Sequence, residues 1–63
     1  MYRNLEAEQA RSHLSNQQVA DILGISRVTY EKKKKTGKFN LKEIKMLCTT
    51  FQCEFLYLFE EGA

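Results

Sequence analysis

The sequence predicts an all-α fold, a compact bundle of five short helices, with residues 1–63 forming one domain. Three observations carry this. Proline is absent and glycine occurs only at 24, 37 and 62, so helix breakers are few, while Leu, Glu, Lys, Gln and Ala abound. Apolar residues recur at steps of three and four, and no segment alternates with the period of a strand. Ser15, Ser26 and Asn40, all good N-caps, stand just ahead of periodic segments.

The first helix is expected over about residues 4–11, with Leu5, Ala7 and Ala10 as its apolar or small positions and His13-Leu14 leading out. Ser15 opens the second through a capping box, its hydroxyl accepting from the Gln18 amide while the Gln18 side chain reaches back. Val19, Ala20, Ile22 and Leu23 form the stripe expected to be buried, and Gly24 suits the left-handed residue that ends a helix. Only Ile25-Ser26 separates it from a third helix, from Arg27 to about Lys35, whose lysines complement the negative end of the helix dipole. Thr36-Gly37-Lys38 breaks it. Asn40 caps the fourth helix with Glu43 as box partner, and Leu41, Ile44, Leu47, Cys48 and Phe51 mark its apolar face. A last turn or two over residues 54–60 carries Phe55, Leu56, Leu58 and Phe59.

Several functional classes are disfavoured. No stretch approaches the ~20 apolar residues of a membrane span, and Met1-Tyr2-Arg3-Asn4 opens without the apolar run of a signal peptide. A cytoplasmic location, without membrane association, is the expectation. Cys48 and Cys53 lack the second ligand pair of a structural zinc site and read as reduced core thiols. No metal, cofactor or small-molecule ligand is expected. Enzymatic chemistry is the weakest option, because the single histidine, His13, has no evident nucleophile beside it.

Charge is unevenly spread. Residues 27–45 hold eight Lys and Arg against two Glu, whereas the rest of the chain holds two Arg against six acidic residues. A basic segment on an acidic body is the footprint of a polyanion binder, although a solvated lysine face has the same composition.

Helix, glycine turn and helix in close succession form the supersecondary unit that reads DNA. The run Leu14-Ser15-Asn16-Gln17-Gln18-Val19-Ala20-Asp21-Ile22-Leu23-Gly24-Ile25-Ser26-Arg27-Val28-Thr29-Tyr30 resembles the phage repressor/Cro type of helix-turn-helix, the xenobiotic-response-element family. The resemblance extends through Leu41-Lys42-Glu43-Ile44-Lys45-Met46-Leu47 and Phe55-Leu56-Tyr57-Leu58-Phe59, and so spans essentially the whole chain. It implies a sequence-specific, double-stranded-DNA-binding transcriptional regulator, a Cro-like repressor acting as a homodimer on a palindromic operator. Tyr57, Phe59 and Phe39 are the apolar candidates for the dimer interface.

Within that unit the small Ala20 allows a close crossing, Gly24 the tight turn and Ile25 plugs the corner, while Val19, Ile22, Leu23 and Tyr30 are the inward residues that hold the two helices at a fixed angle. Reading falls to the start of the third helix, the part that enters the major groove in this motif. There Ser26 caps, Arg27 suits guanine, Val28 suits a thymine methyl, Thr29 suits a base or the backbone, and Lys32 suits guanine or phosphate. Asn16 and Gln17 at the head of the second helix, with Lys35, Thr36 and Lys38 after the third, are the expected phosphate anchors. Asn16 stands where the family often carries a phosphate-contacting glutamine.

The chain departs from the family pattern in three respects. Lys33-Lys34 replaces an apolar residue followed by Glu, and Gln9 replaces the Arg that pairs with that Glu, so Lys34 is expected to lean on Glu8 or Glu6. Gln52 replaces a helix-ending glycine, at a cost of about 1 kcal/mol where φ is positive. The alternative reading is a protein-interaction module, such as an antitoxin or anti-repressor built on the same fold.

Overall fold

The caps anticipated from sequence set the helix boundaries. Ser15 and Asn40 each accept from the backbone amide three residues on, and Gln18 and Glu43 complete both capping boxes; Ser26 accepts from the Thr29 amide. In the computed structural model, which describes residues 2–61, these caps open three of five helices. The elements are α1 (Arg3–Arg11), α2 (Asn16–Leu23), α3 (Arg27–Thr36), α4 (Leu41–Phe51) and α5 (Phe55–Leu58). No strand occurs among the described residues, and no helix there is long and apolar enough to cross a membrane. The five helices pack into a body of 28 × 22 × 19 Å.

The first four helices end in left-handed turns. Gly24 (φ 74°) ends α2 with the paired bonds Ile25 N–H to Ala20 O and Gly24 N–H to Asp21 O, the Schellman arrangement. Gly37 (φ 73°) ends α3 with one bond to Lys33 O. Its freedom from a side chain is also used by α1: the Tyr2 hydroxyl donates to Gly37 O at 3.3 Å, and a Cβ on residue 37 would stand 2.8 Å from that hydroxyl. The same Schellman pairing ends α1 at His13 (φ 57°) and α4 at Gln52 (φ 53°), where a side chain must tolerate the left-handed backbone. Gln52 therefore carries the positive φ anticipated for it; His13 was not anticipated.

The core is Leu5, Val19, Ala20, Leu23, Tyr30, Leu47, Phe51 and Leu58. Burying each large apolar side chain contributes roughly 1.5–3 kcal/mol. An aromatic chain runs beside it, with ring centroids 6.2 Å apart for Tyr30–Phe39, 5.8 Å for Phe39–Phe59 and 5.1 Å for Tyr2–Phe59. Phe39 and Phe59 are thus packed within the fold.

Ile22 and Leu41, expected on the apolar faces of their helices, are exposed, as are Phe55 and Leu56. Ile22 lies at the edge of the α2 stripe, and Leu41, the first residue of α4, lines an open groove with Ile44 and Phe55. Phe55 and Leu56 sit on a one-turn helix that can turn only Leu58 fully inward. Conversely, the buried face of α1 is Leu5, Glu8 and Gln9 rather than its alanines. Cys48 and Cys53 are free thiols, partly buried against the core rather than within it, and the Cys53 amide donates to Cys48 O in the Schellman turn at Gln52.

Two expectations follow for stability. Gln52→Gly removes the side-chain penalty of the left-handed backbone and should stabilise by about 0.5–1 kcal/mol, raising Tm by about 2–8 °C in a thermal melt. Alkaline pH should destabilise. The Tyr57 hydroxyl donates to Glu8 Oε2 at 2.9 Å, and that bond lifts the phenol above its ordinary value of 10.0, while burial holds Tyr30 far above it. Groups whose folded value is raised keep their proton longest in the folded state, so their contribution is complete below about pH 10 and fades as pH climbs through the folded value. Urea midpoints between pH 8 and 11 should fall, and Tyr57→Phe should make the fall shallower.

Candidate nucleic-acid interface

With only Gly24, Ile25 and Ser26 between them, α2 and α3 pack on each other, Tyr30 and Ala20 both fully buried. This packing is consistent with a helix-turn-helix. What locks it is polar. The Lys34 ammonium, on the inner face of α3, donates to Glu6 Oε1 at 2.8 Å, Asn16 Oδ1 at 3.0 Å and Gln9 Oε1 at 3.3 Å. The Tyr30 hydroxyl donates to the same Gln9 oxygen at 2.7 Å, and the Tyr30 ring lies 5.0 Å below the ammonium. Gln9 Nε2 then donates to Asn16 Oδ1 at 2.9 Å and to Leu14 O at 3.1 Å. Lys34 therefore leans on Glu6, one of its two anticipated partners; Glu8 instead receives Arg11 and Tyr57.

The run of four lysines divides by helix geometry. Lys34 is buried and Lys33 reaches Glu43 at 3.1 Å, while Lys32 and Lys35 are exposed and make no ion pair among the described residues. Lys32, Lys35 and Val28 lie along one groove with Asn16, Glu6, Glu31 and Lys34. Val28 is 59% exposed, an apolar side chain presented to solvent between cations.

Of the ten residues singled out from sequence, Asn16, Val28, Lys32 and Lys35 line this groove. Arg27 joins it through Glu31, whose Oε2 accepts from Arg27 Nη1 at 2.9 Å. The Ser26 hydroxyl donates to Thr29 Oγ1 at 2.8 Å, so both hydroxyls are occupied at the α3 cap. Gln17 donates to Asp21 on the outside of α2. Thr36 donates to Lys32 O and accepts from the Lys38 amide, which fixes the chain at the end of α3. Gln17, Thr36 and Lys38 stand outside the groove.

Sequence reasoning passed over Glu31. It accepts from Asn16 Nδ2 at 3.0 Å as well as from Arg27, and these two bonds hold its carboxyl below the usual carboxylate range. The Arg27–Glu31 spacing of one helical turn was visible in the sequence. The link to Asn16, 15 residues away, was not. Asn16, expected at a phosphate, has both ends of its amide engaged within the protein: Oδ1 accepts from Gln9 and Lys34, and Nδ2 donates to Glu31.

No family model, curated protein or solved structure matches the chain.

Lys34→Glu should place a carboxylate against three oxygens and cost about 2–4 kcal/mol in urea unfolding. Adding Gln9→Arg supplies a donor on α1 and should recover at least half of that loss, measured in the double variant.

Proposed function

We propose that the chain is a sequence-specific double-stranded-DNA-binding regulator of transcription, a cytoplasmic repressor of the Cro kind that presents the outer face of α3 to the major groove. One observation supports this above the rest: Arg27, Val28, Lys32 and Lys35 share the exposed side of a helix whose other side is locked to α1 and α2. A rigid helix presenting two kinds of base-edge chemistry, a guanidinium and an apolar side chain, suits direct readout. Lys32, Lys35 and Lys38 are the cations for adjacent phosphates. In this reading Asn16 reaches phosphate with its backbone N–H at the head of α2.

The operator is a palindrome bound by a homodimer. Phe39 and Phe59 are occupied inside the fold, so the interface falls to the exposed, mainly apolar groove of Leu41, Ile44, Cys48 and Phe55 with Lys45 and Thr49, and to the exposed Leu56 and Tyr57. The same groove favours the second reading, an interaction module such as an antitoxin or anti-repressor.

Salt dependence separates the two. Duplex binding near 50 mM salt should weaken log-linearly with salt, by a slope of about −0.9 per phosphate neutralised, and Lys38→Ala should flatten that slope for every sequence. Arg27→Ala should instead cost ~1–3 kcal/mol on the selected operator alone. Absent or salt-insensitive duplex binding favours the protein-interaction reading.

A further inference from the structure

The carboxylate of Glu31 stands on the α3 surface just described, in contact with the residue best suited to reading a base. We infer that Glu31 is a positioning residue for Arg27, biasing its guanidinium toward a base edge and against phosphate. The inference rests on the DNA-binding reading above.

An exposed Arg–Glu pair one turn apart on a helix is ordinarily weak and easily broken. This one has a second anchor. The oxygen that receives Arg27 Nη1 also receives Asn16 Nδ2 from α2, and the Asn16 Oδ1 is in turn held by Gln9 and Lys34. The carboxylate is therefore tied to the body of the protein through α2 and cannot follow Arg27 wherever that side chain swings. Arg27 spends one of its five N–H donors on this bond and keeps the others for a partner.

The two partners offered by a duplex respond differently to that neighbour. A guanine edge presents neutral acceptors, O6 and N7, and accommodates an arginine already half neutralised. A phosphate drawn to Arg27 comes close to Glu31 as well, anion against anion. Glu31 thus costs the protein some attraction to DNA in general while leaving the base contact open, and specificity is the difference between the two.

Glu31→Gln keeps the size and an acceptor oxygen but removes the charge. Wild type, Glu31→Gln, Arg27→Ala and the double variant Arg27→Ala/Glu31→Gln would be titrated over a salt series. The probes are a mixed-sequence duplex and the duplex that wild type selects from a random pool; thermal melts confirm folding. In Glu31→Gln the mixed-sequence duplex should bind more tightly, with a salt slope steeper by about 0.9, one additional phosphate contact. The preference for the selected duplex should fall about 5- to 100-fold. Neither change should appear on adding Glu31→Gln to Arg27→Ala. Unchanged slope and preference in Glu31→Gln overturn the inference, as does the same gain with Arg27 absent, which marks a bulk charge effect. If wild type binds no duplex near 50 mM salt, the DNA-binding reading itself falls.

Discussion

The Lys34 ammonium is the point on which the arrangement of α1, α2 and α3 turns. Taking a charge out of water costs several kcal/mol, so an ammonium with only 10% of its side chain exposed needs compensation on every side. It receives a carboxylate from α1, an amide oxygen from each of α1 and α2, and the face of an aromatic ring from α3 itself. Glu6 remains half-exposed, so only one member of the pair is largely desolvated. Every buried side-chain nitrogen and oxygen among the described residues has a partner. A network so completely satisfied specifies one relative placement of three helices, which apolar packing alone does not.

Short helices make that specification necessary. α2 has 8 residues and α5 has 4, lengths at which a helix is not stable by itself. Side-chain caps at three N-termini and left-handed turns at four C-termini satisfy the orphan amides and carbonyls, and these turns set the angles at which consecutive helices meet. Glycine supplies two of the turns at no steric cost. His13 and Gln52 supply the others under strain, which tertiary packing offsets: Leu14 and Cys53, the residues just beyond those turns, both pack against the core.

What could be read from sequence follows from how local each determinant is. Capping boxes at Ser15 and Asn40 and the Gly24 turn depend on residues within five positions of one another, and all were legible. Burial was legible where several helices converge, as at Val19, Leu23 and Leu47, but not at Ile22 or Leu41, where exposure depends on how far a neighbouring element extends. The charged network was half legible. Reading Lys34 against α1 pointed to Glu8 or Glu6, and only Glu6 takes it, while Asn16 and Tyr30 entered the same cluster through the fold alone. For the candidate interface, helical spacing placed Arg27, Val28 and Lys32 near one another. Glu31 went unnoticed because its second partner lies on another helix.

Asn16 is where the internal network and the candidate reading surface meet. Its amide oxygen belongs to the buried cluster and its amide nitrogen belongs to the carboxylate that holds Arg27. A side chain so engaged is poorly placed to bind phosphate, and its value lies in being immobile. From Tyr30 through Gln9 and Asn16 to Glu31 and Arg27, each hydrogen bond constrains the next, so order in the core is passed to a solvent-exposed guanidinium. Exposed arginines ordinarily lose much rotamer freedom on binding, at ~0.5–1.5 kcal/mol per immobilised side chain. Here part of that freedom is already spent when the chain folds, which makes the order of the candidate reading surface depend on the polar core behind it.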